Sequence, residues 1–434
     1  RMDAGNIVIN DANVETGSYS IYMYNSNATG TINDGTYTSS SYVISSFSKN
    51  LEINGGTYQS TKYYGIYISS GTTTINNGHI EGTIGIYADG RNSTLNLNKS
   101  TVIGTTGVAL NLHENYVTAN IKDSTIRSEK SDGIYTWSNV NVTMDNSMVD
   151  GKTNGMELYG GTITINNSQI TGSNYGIYER STNVNLIIGN DDEKISISSP
   201  VIKGDKYGLY VENGTTTIYD GILKGQTGGY SGTITTMPDG YTLKEGTEDI
   251  DGVIYKTNYL GENTAFLQVG DKKFNTINKA IAEAKTTGNE IVLINDATTS
   301  SQGTIDKNVN ITIDLNGHTL SMSQPLSSAG NLTLKDSGEE KSGKLVNSST
   351  TNNSYVIEST GTLNIGDVNI SGYNGIKAGG VTTIDGTKIE LTNSGVGVYG
   401  ISSTTDITIE NISIVGTSGT GIRMDAGNIV INDA

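Results

Sequence analysis

The chain has 434 residues with Gly at 55 and Pro at 3 positions, and only 16% of its residues are charged, which excludes a disordered tail richer in charge and proline. The net charge of −17 is spread without clusters of Lys and Arg, so neither nucleic acid nor an anionic membrane is expected as a partner. No cysteine is present, which removes disulfide bracing and thiolate metal sites but leaves the compartment open, and no apolar run is long enough for membrane insertion.

Repeats come first, because they decide the architecture. From the N-terminus to residue 235, two strand phrases recur. The first is Gly-aliphatic-Tyr, at Gly65-Ile66-Tyr67, Gly85-Ile86-Tyr87, Gly133-Ile134-Tyr135, Gly176-Ile177-Tyr178 and Gly208-Leu209-Tyr210, with weaker copies at Ile21, Ile44, Val108 and Met156. The steps from Ile21 to Ile177 are 23, 22, 20, 22, 26, 22 and 21 residues, the length of one coil of a three-sided β-helix. The second phrase alternates and closes on a polar corner, as in Thr31-Ile32-Asn33-Asp34-Gly35 and Thr74-Ile75-Asn76-Asn77-Gly78. Alternation puts Ile, Leu and Val inside and Thr, Asn and Ser outside. A sharp corner needs left-handed backbone, which Asn, Asp and Gly reach at least cost. Asp11, Asp34, Asn77, Asp123, Asn146, Asn167 and Asp220 are therefore expected to stack as a structural ladder along one edge, with Lys99 breaking the series.

There are 25 Tyr against 3 Phe and 1 Trp. If the Ile of Gly-Ile-Tyr faces in, the Tyr faces out, so Tyr67, Tyr87, Tyr135, Tyr178 and Tyr210 should form a surface stripe. Self-stacking that stiffens the coils is the preferred reading. The alternative is stacking on sugar rings or on a neighbouring fibre.

The phrases stop between about Thr236 and Gly270, where residues 236–261 are expected to link two β-helix units. Residues 262–300 read as an N-terminal cap. Its helix is predicted over 274–287 from the apolar stripe Phe274, Ile277, Ile281 and Ala284, and Gly288 ends it. Fresh coils follow over 301–434, including Ile311-Thr312-Ile313, Leu332-Thr333-Leu334, Leu363-Asn364-Ile365 and Ile407-Thr408-Ile409.

The run Leu267-Gln268-Val269-Gly270, Phe274 to Ala284, Ile291 to Ile294 and Asn310 to Leu320 resembles the N-terminal cap of pectate-lyase-like β-helix domains in surface proteins of Gram-positive anaerobes. The resemblance implies an all-β, right-handed parallel β-helix, or solenoid, on an exported, extracellular cell-surface protein. One capping α-helix is expected at the start of each tandem unit. Members of that class include enzymes, adhesins and phage tailspikes, so the fold alone assigns no activity.

Enzymes of that class use clustered carboxylates, sometimes with Ca²⁺ and an Arg or Lys base. The nearest candidates here are Asp191-Asp192-Glu193 beside Lys194, His113-Glu114 and His318. Adjacent carboxylates point different ways and do not make the facing pair that hydrolysis needs, so a solvated loop is the plainer reading. His318 sits in the cap phrase and is expected to be structural. No catalytic residue, metal or cofactor is assigned.

Residues 1–12, Arg1 to Ala12, recur without change at Arg423 to Ala434. The chain also starts at Arg1 without an initiator Met, and it therefore reads as one 422-residue period of a tandem array. The leading expectation is a structural subunit of a long extracellular bacterial fibre or surface appendage. Its partners would be head-to-tail neighbouring units and, as an adhesin, cell-surface or host glycans. A polysaccharide lyase or hydrolase is the less favoured alternative.

Overall fold

Alternation of aliphatic and polar residues produces short strands with one buried and one outward face. In Thr72–Asn76 and Thr94–Asn98, Thr73, Ile75, Leu95 and Leu97 are fully buried, while the residues between them remain partly exposed. The structure, a computed structural model, describes residues 1–432 apart from 114–115, 138, 192–194 and 239. It is an all-β parallel solenoid, whose parallel crossovers take the right-handed sense. It divides into two units, Arg1–Gly261 and Glu262–Ala434.

Three sheets build the first unit. The first has ten parallel strands from Asn6–Ile9 to Thr215–Ile218, and the third has ten from Ile21–Met23 to Gly228–Ser231. The second starts at Asn13–Thr16 and is twelve-stranded. Like residues stack in register, so Ile75 lies between Ile53 and Leu97, and Tyr87 beside Tyr67. Each fully buried Ile or Leu contributes roughly 1.5–3 kcal/mol, and no coil can bury its face without its neighbours.

The glycine of Gly-aliphatic-Tyr is set by close approach. A Cβ on Gly65 would stand 2.6 Å from Ile80 and 2.7 Å from the Gly85 carbonyl oxygen. The copy expected at Val108 is displaced, because Leu110 is the residue registered between Ile86 and Ile134. Ala109 holds the place of glycine in that coil, so the phrase is disguised there.

Residues 236–261, expected as a linker, instead form a β-hairpin of Tyr241–Ile250 and Val253–Glu262 turning at Asp251-Gly252, with φ of 54° and 81°. Its second strand runs antiparallel to Ile222–Gly225, and Leu260 joins the first unit's core. The hairpin thus completes that unit.

In the second unit, Leu267–Val269 pairs antiparallel with both Lys272–Phe274 and Ile291–Leu293 before the parallel coils begin. Helix α1 spans Ile277–Thr287, starting three residues later than predicted. Phe274 is held opposite Leu267 as a strand residue, and the Thr276 side chain accepts a hydrogen bond from Lys279 N as N-cap. Gly288 closes the helix at φ 72° with its N–H donating to the Ala284 carbonyl. Ile277, Ala280, Ile281 and Ala284 join a core with Leu267, Ile291 and Ile305, so the helix covers the apolar start of these coils. It is the one helix among the described residues. It stands at the start of the second unit.

Candidate functional site

Two terminal strands carry the same sequence on opposite sides of a coil. Asn6–Ile9 pairs with the strand that follows it, Ile7 opposite Gly30 and Ile9 opposite Ile32. Its duplicate Asn428–Asn432 pairs with the strand that precedes it, Ile429 opposite Ile407 and Ile431 opposite Ile409. The flanking residues match as well. Met2 bridges to Met23 and the Arg1 guanidinium lies 5.8 Å from the Tyr22 ring centre, while Met424 registers with Gly400 and Arg423 lies 4.8 Å over Tyr399. Each copy leaves bare the edge that the other one fills. Val8, Val430 and Ile431 are about half exposed there.

The predicted corner residues share one column but do not all play one part. Asn77, Asp123, Asn146 and Asn167 take left-handed φ between 44° and 54°, and so does Lys99 at 49°. Asp34 and Asp220 pass that conformation to Gly35 and Gly221, while Asp11 is exposed on the first coil. Side-chain bonding runs mainly one position earlier, from Asn33 to Asn10, Asn54 to Asn33, Asn76 to Asn54 and Asn98 to Asn76, at 2.9–3.1 Å. Only further on does it reach the predicted column, where the Asn146 amide donates to Asp123 at 2.6 Å. The Asp220 carboxylate is buried and accepts from Asn190 N and Ser196 N at 2.9 and 2.6 Å, holding both ends of the long loop. Beside the corners runs a buried serine column that the sequence reading missed. Ser100, Ser124, Ser147 and Ser168 each donate to a carbonyl two residues back, and Ser124, Ser147 and Ser168 each accept the backbone N–H of the serine one coil earlier. Its signal was the small residue recurring after each corner.

Tyr67, Tyr87, Tyr135, Tyr178 and Tyr210 lie in one outward column of the third sheet, interrupted by Asn111 and Glu157. The rings bridge these gaps through His113, Trp137 and Tyr159. Tyr87 stacks on His113 and His113 on Trp137, each at 5.7 Å, and Trp137 meets Tyr159 at 5.3 Å. Trp137 thus stacks on the preceding coil and tilts against the following one, while remaining about half exposed. Tyr178 and Tyr210 meet edge to face at 5.3 Å. The faces of these aromatic side chains are largely spent on one another, at about 0.5–1.5 kcal/mol per pair. Tyr37 and Tyr58 point inward, stacked at 5.0 Å, and their hydroxyls donate to the carbonyls of Asp34 and Gly55.

A polar cluster interrupts this face at Asp132, Asn154, Glu157 and Arg180. Burial first, then the neighbouring Glu157 carboxylate, raises the Asp132 carboxyl well above the usual carboxylate range. Asp132 accepts from Asn154 N and Nδ2, both at 2.9 Å, and Glu157 pairs with the Arg180 guanidinium at 2.7 Å. Arg180 in turn lies 5.0 Å from the Tyr159 ring and 4.8 Å from Tyr178. In the next coil Glu179 is fully buried in the core column between Leu158 and Val211. Desolvation pushes its carboxyl up to about 7, and Thr216 Oγ1 donates to it at 2.6 Å. These residues were legible as departures from the repeat, since Glu157 stands where the phrase has Tyr.

Of the loop candidates, Asp191 is exposed, while Asp192, Glu193, Lys194 and Glu114 lie outside the described residues. His318 Nδ1 faces Asp296 at 3.2 Å, and Asp296 also accepts Thr319 N at 2.8 Å, so the pair clamps a turn. Among the described residues no group of His, Asp and Glu is arranged to hold a metal ion, and no helix is long and apolar enough to cross a membrane. No family model and no curated protein matches this sequence.

Proposed function

We propose that this chain is one period of a tandem β-helix array forming a thin extracellular fibre or appendage on a bacterial surface, of the Gram-positive kind its cap resembles. The observation that carries the reading is the shared end rung. Residues 423–434 and 1–12 are the same segment, and each copy uses the edge that the other leaves open. Placing the two copies as one rung joins the coils after residue 262 to those before residue 235 in a single solenoid. Ile422 and the next Ile21 would then be separated by one ordinary coil. Each 422-residue period then carries one capping helix at its start and one hairpin at its end. Open edges pair promiscuously, and the array leaves none between the cap and the hairpin.

Adhesion is compatible with such a fibre, but the aromatic faces turned toward each other favour stiffening over ligand stacking. The test is a polypeptide two periods long, imaged singly by negative-stain electron microscopy. A straight rod of uniform width through the duplicated rung is expected. Two particles hinged at that rung would overturn the reading.

A further inference from the structure

The last coil of the first unit and its closing hairpin enclose a groove of about 730 Å³, lined by Tyr207, Tyr230, Glu245, Thr247, Lys256 and Asn258 among others. Its volume falls within the few hundred to about 1,000 Å³ typical of small-ligand sites. Gly228, Gly232 and Gly246 are part of its lining.

The groove has a polar floor. Asn258, 7% exposed, contributes a side-chain amide that offers a ligand both a donor and an acceptor. Thr257, at 4% exposure, adds a hydroxyl to the same lining. Both groups are neutral. The charged lining residues, Glu245 and Lys256, are one of each sign and lie exposed, where solvent screens them. The two tyrosines supply ring surface for C–H faces.

From these features we infer that the groove binds one or two units of an uncharged sugar, with hydroxyls on Asn258 and a ring face against Tyr207 or Tyr230. Anionic sugars are disfavoured by the net charge of −17. The site stands independently of whether the chain assembles into fibres.

The test is titration calorimetry of the full chain with a panel of neutral monosaccharides and disaccharides, with glucuronate and glucosamine as charged comparators. A short neutral oligosaccharide joins the panel, to separate a free sugar from a glycan end. Saturable binding by a neutral member is expected, weakened at least tenfold by Asn258→Ala. Thr247→Trp, a change at an exposed lining position, should abolish it while leaving the unfolding temperature unchanged. That variant decides the matter if Asn258→Ala fails to fold. Absence of binding across the neutral panel, binding that survives Thr247→Trp, or a tenfold preference for a charged sugar would overturn the proposal.

Discussion

Glu179 is the residue whose chemistry most opposes its place. It fills a core column otherwise held by Met23, Ser46, Ile68, Ala88, Leu112, Thr136, Leu158 and Val211. Its carboxyl is pushed up to about 7 by burial, while in the unfolded chain it titrates near its ordinary 4.5. Below pH 4.5 both states hold the proton, so burial costs nothing through ionisation. Between that pH and about 7 the unfolded chain releases a proton that the folded chain keeps, and stability falls before levelling off. Glu179→Gln should therefore raise the unfolding free energy measured in urea at pH 8, by on the order of 2–3 kcal/mol, and give no gain at pH 4. A gain of equal size at both pH values would show that the carboxyl is not buried as described. Lys99 poses a backbone question instead. At φ 49° it occupies the left-handed corner that Asn77 and Asn146 occupy in other coils. Lys99→Asn is expected to stabilise by about 0.5–1 kcal/mol in the same measurement. The sequence marked Lys99 as a break in the series, whereas the coil keeps its shape there and bears the strain. Inward tyrosines such as Tyr58 were illegible, because their fit depends on a carbonyl three residues back rather than on any period.

At the scale of the element, strands and corners were legible because side-chain period and coil length repeat together. The hairpin at 241–262 was readable in principle from Asp251-Gly252 between alternating residues, yet the missing coil phrases gave it the look of a linker. The start of α1 was misread because Phe274 fits a helical stripe as well as it fits its strand. The serine column is what ties corner to corner. Ser124 Oγ donates to the Lys122 carbonyl at 2.7 Å and accepts Ser100 N at 3.1 Å, in a buried site. Ser124→Ala leaves the Ser100 N–H unpaired, while the Lys122 carbonyl keeps the Lys99 N–H, and a loss of about 1–3 kcal/mol is expected in chemical unfolding. The neighbouring amides of residues 98–102 should lose hydrogen-exchange protection first. An unchanged exchange pattern would mean that the column contributes nothing to cohesion between coils.

At the scale of the molecule, the terminal groove was invisible in advance, since it draws residues from the last coil and from both arms of a hairpin, and the polar cluster showed only as departures from the repeat. The coil count was visible, and it fixes a length. The first unit has ten coils and the second six full ones. At about 4.8 Å of rise per coil, one period of the proposed array should advance roughly 70 to 90 Å along its axis. Because the duplicated rung belongs to both units, it adds one layer and not two. Native filaments imaged by cryo-electron microscopy should therefore show a 4.8 Å layer line modulated by an axial repeat in that range. A repeat far outside it would mean that the duplicated rung does not join the coils into one continuous stack.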